Sequence, residues 1–128
     1  MNLLLDTHVL IWALSDPARL RPDAARAIED PENTVVVSAV SAIEIAIKQS
    51  LDKIRLPGPA ESWLEPAVLE VGFDLIQISF QDGLRLRQLP WHHRDPFDRL
   101  LVAQAMGGFT LCTHDQRLAA YSIAVLDA

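Results

Sequence analysis

The sequence predicts an α/β fold, a three-layer sandwich around a central, mostly parallel sheet of about five strands. Three observations predict it. Short apolar runs such as Leu3-Leu4-Leu5 and Val35-Val36-Val37 lack polar alternation, as strands buried on both faces do. Segments with helical spacing separate these runs, so strands and helices alternate along the chain. With 128 residues, half of them hydrophobic, the chain suits a single domain, 1–128, with its own core.

The elements follow in order. Leu3 to Leu5 is the first strand and stops at Asp6. The apolar segment 8–14 ends at Ser15-Asp16-Pro17, and 22–29 reads as a helix with Pro22 in its first turn. Val35 to Val37 is the second strand. Ile43, Ile47 and Leu51 give 41–51 a helical period, and Leu56-Pro57-Gly58-Pro59 makes a stiff turn. A helix is expected over 60–71, with Pro66 kinking or splitting it. A third strand covers 75–78, and a short basic helix over 81–89 stops at Pro90. The helix 95–106 ends at Gly107-Gly108. A strand over 110–113, a short helix over 115–121 and a last strand over 123–126 complete the chain. No repeat, linker or low-complexity segment interrupts it.

The totals exclude several classes. The longest apolar runs are far shorter than the ~20 residues of a membrane helix. The apolar start carries no preceding basic segment and is broken by Asp6, unlike a signal peptide, so a soluble cytoplasmic protein is expected. The lone Cys112 lies in the apolar run FTLCT and reads as a core residue. A net charge of -6 argues against a simple nucleic-acid binder unless the acid is concentrated where a cation cancels it.

The positions of the acids support that exception. Ligands of an open parallel sheet bind beyond the carboxyl ends of its strands. Asp6 follows the first strand, Glu44 lies a turn into the helix after the second, Asp98 is in the first turn of 95–106, and Asp115 is two residues past the fourth strand. Gathered together they repel one another, and Mg²⁺ or Mn²⁺ is the natural compensator for such oxygen ligands. Each acid also has a structural reading. Glu44 follows Ser41 at capping-box spacing, and Asp115 could cap the helix behind it. Asp95 precedes Pro96 and reads as the N-cap of its helix, which leaves Asp98 free to serve a site.

The segments LLLDTHVLIWAL, SAVSAIEIAIK, HHRDPFDRLLVAQA and LCTHD together resemble the PIN-domain family, closest to bacterial VapC-type toxins of toxin–antitoxin pairs. The resemblance spans essentially the whole chain. It implies a metal-dependent endoribonuclease, usually a homodimer, neutralised by a VapB-type antitoxin, with DNA contacted only through that partner. By motif position it carries the acidic site onto Asp6, Glu44, Asp98 and Asp115 and an accompanying hydroxyl onto Thr113. Asp95 matches an auxiliary acid of one subgroup. Gln116, Arg117 and Leu118 depart from the further acid and aromatic that many members carry there.

On that reading Asp6 and Asp98 are expected to hold Mg²⁺ (or Mn²⁺) directly, with Asp115 and Glu44 completing the site. Arg85, Arg87, Arg94 and Arg99, with Trp91 among them, are expected to contact RNA phosphates and a base. A solvated helix face with a core Trp accounts for the same five residues. His92 and His93 are expected as loop residues near the site and not as ligands, because hard Mg²⁺ prefers oxygen. Two rivals remain, one from the residues and one from the resemblance. A phosphatase or phospho-acceptor receiver also places acids beyond parallel strands, but a receiver needs a late lysine, and the only lysines are Lys48 and Lys53. A catalytically silent module that only pairs with an antitoxin would keep the fold and bind no metal.

Overall fold

The computed structural model describes residues 1–128. Its centre is one five-stranded sheet: β1 (Asn2–Leu5), β2 (Thr34–Ser38), β3 (Asp74–Ile76), β4 (Thr110–Thr113) and β5 (Val125–Asp127). The spatial order is β3-β2-β1-β4-β5, and every pairing is parallel. Six α-helices cover it: α1 (Thr7–Ser15), α2 (Pro22–Glu29), α3 (Ala39–Ser50), α4 (Ala60–Glu70), α5 (Phe80–Arg85) and α6 (Pro96–Ala105).

Alternate strand residues enter two separate cores, which is why the strands read as unbroken apolar runs. Leu3, Leu5, Val35, Val37 and Cys112 pack with Val9 and Leu10 of α1, Ala24 of α2 and Leu64 and Val68 of α4. Leu4, Val36 and Leu111 pack on the other face, with Leu101, Val102 and Ala105 of α6. Together the two faces make the three layers. No helix is long and apolar enough to cross a membrane.

Several local expectations are corrected. The helix expected from residue 41 begins at Ala39, because the hydroxyl of Ser38, not that of Ser41, accepts the first free N–H, from Val40 at 3.0 Å. Ser41 lies inside α3 and instead receives the Thr7 hydroxyl at 3.1 Å, so it forms no capping box with Glu44. Of the two outcomes expected at Pro66, the split does not occur, since α4 runs through it; Pro66 lies on the exposed face, where water can serve the Ser62 carbonyl that its ring leaves unbonded. The basic segment 81–89 is α5 followed by a 3-10 turn, Leu86–Gln88, and 115–121 is a 3-10 turn alone, Gln116–Ala120.

The strand order positions the site. The chain builds outward from β1 to β2 and β3, then returns to lay β4 on the opposite side of β1. The crevice at such a reversal opens above the carboxyl ends of β1 and β4. Gly108, at φ +117, makes the tight exit from α6 that lets β4 start there; a side chain would be strained at that φ.

Candidate active site

Asp6 stands directly above the reversal. Its N–H donates to the Cys112 carbonyl at 3.0 Å, which continues the β1–β4 ladder one residue past the strand. One carboxylate oxygen caps α1 by accepting from the Val9 N–H at 2.8 Å, and the other accepts from the Thr113 hydroxyl. Asp6 is only 5% exposed. Burial pushes its pKa up, against the pull of those two hydrogen bonds. Thr113 also accepts the Asp115 N–H at 3.0 Å, so one hydroxyl ties the acid after β1 to the acid after β4.

Asp95 and Asp98 divide as their spacing predicts. Asp95 is the N-cap of α6: its carboxylate accepts from the N–H of Phe97 at 2.8 Å and of Asp98 at 3.3 Å. The Asp98 carboxylate caps nothing. It meets His93 Nε2 at 2.7 Å, and the same nitrogen lies 3.6 Å from Asp115. Burial, more than the neighbouring charges of Asp95 and Asp6, raises the Asp98 pKa to about 6. Asp115 is both a cap and a member of the site. It accepts from the Arg117 N–H at 3.0 Å and pairs with the Arg117 guanidinium at 2.7 Å, which holds its pKa low.

Glu44, on α3, is 3% exposed. Its Oε2 takes the Lys48 ammonium, while Oε1 is buried with no hydrogen-bond partner. Asp6, Glu44, Asp95, Asp98 and Asp115 thus line one cavity of about 440 Å³, with Lys48, Arg117, Trp12 and His114 among the remaining wall residues.

These residues fit a divalent cation. Buried carboxylates supply hard oxygen donors, and one buried oxygen stands without a partner. The tightest set of donor atoms is His93, Asp98 and Asp115, all within 4.8 Å of one another. An imidazole thus enters a donor set that the sequence suggested was oxygen alone. Protons would compete with a cation held at Asp98. Divalent-ion affinity is therefore expected to fall as pH drops through about 6, roughly tenfold per unit below it. Mn²⁺ titration calorimetry on either side of that pH checks this; equal affinity on both sides would exclude Asp98 as a ligand.

The arginine group separates in the fold. Arg99 is 3% exposed, so it cannot reach RNA phosphates as the sequence suggested. Its guanidinium donates to the carbonyls of Leu86, Leu89, Pro90 and His93 and to the Tyr121 hydroxyl. Arg85 pairs with Asp82 at 3.4 Å. Arg87 and Arg94 are exposed. Trp91 is 75% exposed and is no core residue; its ring lies 3.8 Å over the Arg99 guanidinium.

Sequence reasoning placed His93 near the site but not among its donors, and it did not assign Lys48 or Trp12 to the site. Adjacent side chains diverge, so His92 turns to the Tyr121 ring while His93 enters the acids. Only the i, i+4 spacing of Glu44 and Lys48 signals their pairing locally. Trp12, which the sequence left as core or partner surface, reaches the cavity wall and meets His114 edge-on at 5.3 Å.

Comparison with known proteins agrees with this architecture. The chain matches the PIN domain family over residues 3–124. It is 34% identical over 119 residues to Ribonuclease VapC22 of Mycobacterium tuberculosis, covering 91% of this chain and 89% of that protein. A chain in the crystal structure of VapBC2 from Rickettsia felis, bound to a DNA fragment from its promoter, superposes with a TM-score of 0.72 at 16% identity, covering 99% of this chain and 98% of that one. A chain in FitAcB from Neisseria gonorrhoeae gives 0.60 at 21% identity, covering 98% and 96%. Those two likenesses establish the shared fold. The sequence match over nearly all of the chain establishes more: this protein belongs to the PIN-domain family.

Proposed function

We propose that this chain is a VapC-type toxin, a divalent-metal-dependent endoribonuclease kept silent by a VapB-type antitoxin. One observation carries the reading: four carboxylates from separate parts of the chain, Asp6, Glu44, Asp98 and Asp115, meet in one cavity above the sheet, with Glu44 Oε1 unpartnered. The relative named a ribonuclease supports the activity, and the VapBC2 and FitAcB likenesses support a protein partner. DNA then enters only through that partner, and the toxin works as a homodimer.

Asp98 and Asp115, with His93 beside them and Asp6 above β1, are the residues that would hold Mg²⁺ or Mn²⁺. Such an ion supplies Lewis acidity, polarising a phosphate oxygen and lowering the pKa of water. Thr113 keeps Asp6 turned into the cavity. Glu44, with one oxygen free, orients the attacking water and takes its proton. Attack by water leaves the 2′-OH unused, so the products carry 5′-phosphate and 3′-OH ends. Arg87 and Arg94 take backbone phosphates, and the open face of Trp91 stacks on a base.

The test is cleavage of a broad RNA panel by the purified protein in Mg²⁺ and in EDTA, with Asp6→Asn alongside. Cleavage is expected only with metal and is expected to drop by about a thousandfold or more in the variant. Cleavage that survives EDTA would refute the metal. Intact RNA together with no metal binding would leave the silent pairing module.

A further inference from the structure

We infer that Lys48 is the built-in counter-ion of the acidic cavity: it holds Glu44 while no divalent ion is bound, and an arriving ion drives it off toward the cavity mouth. The inference rests on the metal-dependent reading proposed above. A carboxylate as buried as Glu44 needs a cation, because an uncompensated charge at that depth is costly. Lys48 lies one helical turn further along α3, and its ammonium bonds Glu44 Oε2. It satisfies only that oxygen; Oε1 remains buried and unpartnered. One ammonium is therefore a partial substitute for what the site is built to hold.

The exposures of the pair point the same way. The Glu44 side chain is 4% exposed and that of Lys48 is 30%, so the lysine reaches inward from the rim. The cavity sets five carboxylates against Lys48 and Arg117. Arg117 is already committed to both oxygens of Asp115. Lys48 is the cation that can leave. A divalent ion held by the other carboxylates of the cavity would repel the Lys48 ammonium, and the four-carbon stem lets the ammonium swing outward at little cost. The freed charge then faces the entrance, where an RNA phosphate must arrive. Lys48 is thus a positioning residue that couples metal loading to phosphate capture.

Lys48 and the exposed Lys53 are the only lysines, so Lys53 is an internal reference. The wild-type chain is treated with limiting acetic anhydride along a Mg²⁺ titration, without RNA, and the Lys48/Lys53 modification ratio is read by mass spectrometry. The ratio is expected to start low and rise about fivefold as the ion binds, and Lys48→Met is expected to bind Mn²⁺ about tenfold more tightly by electron paramagnetic resonance. A lysine that serves only structure gives the opposite sign, since its loss strands Glu44 and loosens the site. A flat ratio while a thermal shift shows Mg²⁺ saturation, Mn²⁺ binding no tighter in the variant, or no metal binding at all overturns the inference. Lys48 unmasked by Mg²⁺ in a protein that cleaves no RNA would sink the nuclease reading alone, whereas RNA cleavage with a flat ratio would sink only the counter-ion.

Discussion

Asp98→Asn is expected to make the metal-free protein more stable near neutral pH and to abolish metal-dependent RNA cleavage. The sign follows from linkage. Burial raises the Asp98 pKa from 3.8 to about 6 in the fold. A raised carboxyl contributes stability that is fully present below the unfolded value of 3.8 and is lost as pH rises through about 6. Above that the buried charge is a liability of up to about 3 kcal/mol. Asparagine keeps an oxygen for the His93 hydrogen bond and carries no charge. Thermal melts without metal should therefore rise by up to about 10 °C near pH 7.5 and show no gain near pH 4. The same variant loses a negative oxygen from the tightest group of candidate metal donors, so on the proposed function cleavage should fall by about a thousandfold. A site residue that stabilises the protein when removed is what stored strain at a functional centre looks like. A variant that melts lower at pH 7.5 would show that Asp98 serves the fold.

Arg99→Met should have the largest effect on stability. The guanidinium gathers four main-chain carbonyls of the 86–93 segment around one side chain, at 2.8 Å for Pro90 and 3.1 Å for Leu86. Methionine fills much of the volume and leaves those carbonyls without their donor. The expected loss is about 3–5 kcal/mol, a large share of the stability of a domain this size. Arg99→Lys should recover little, because one ammonium cannot span the same fork of acceptors. Urea unfolding checks both variants. The segment that Arg99 pins ends in His93, so a folded variant should also bind Mn²⁺ more weakly. A cost below about 1 kcal/mol would show that the segment holds itself in place.

The sequence by itself determined the five strands, most of the helices and the positions of the acids. Apolar runs and helical periods arise from contacts within a turn or across one strand, so the five strands and most of the helices are legible within a few residues, whereas the 3-10 turn Gln116–Ala120 reads as a helix. Asp95-Pro96 marked the start of α6 for the same reason: a cap acts on N–H groups two and three residues away. The acids after the strands pointed to the sheet edge because charge is costly inside an apolar core.

Only the tertiary structure decided which strand lies beside which, and with it the site. Nothing local says that β4 returns to β1, yet that pairing joins Thr113 to Asp6 across 107 residues. Nor does composition reveal that Arg99 is interior: a guanidinium reads as a surface charge until a folded loop brings it carbonyls. His93 followed Arg99 inward for that reason, its backbone held by the same guanidinium. Periodicity is short-range chemistry, whereas the partners of a buried charge are supplied by segments far away in the chain, and their meeting exists only once the layers have packed.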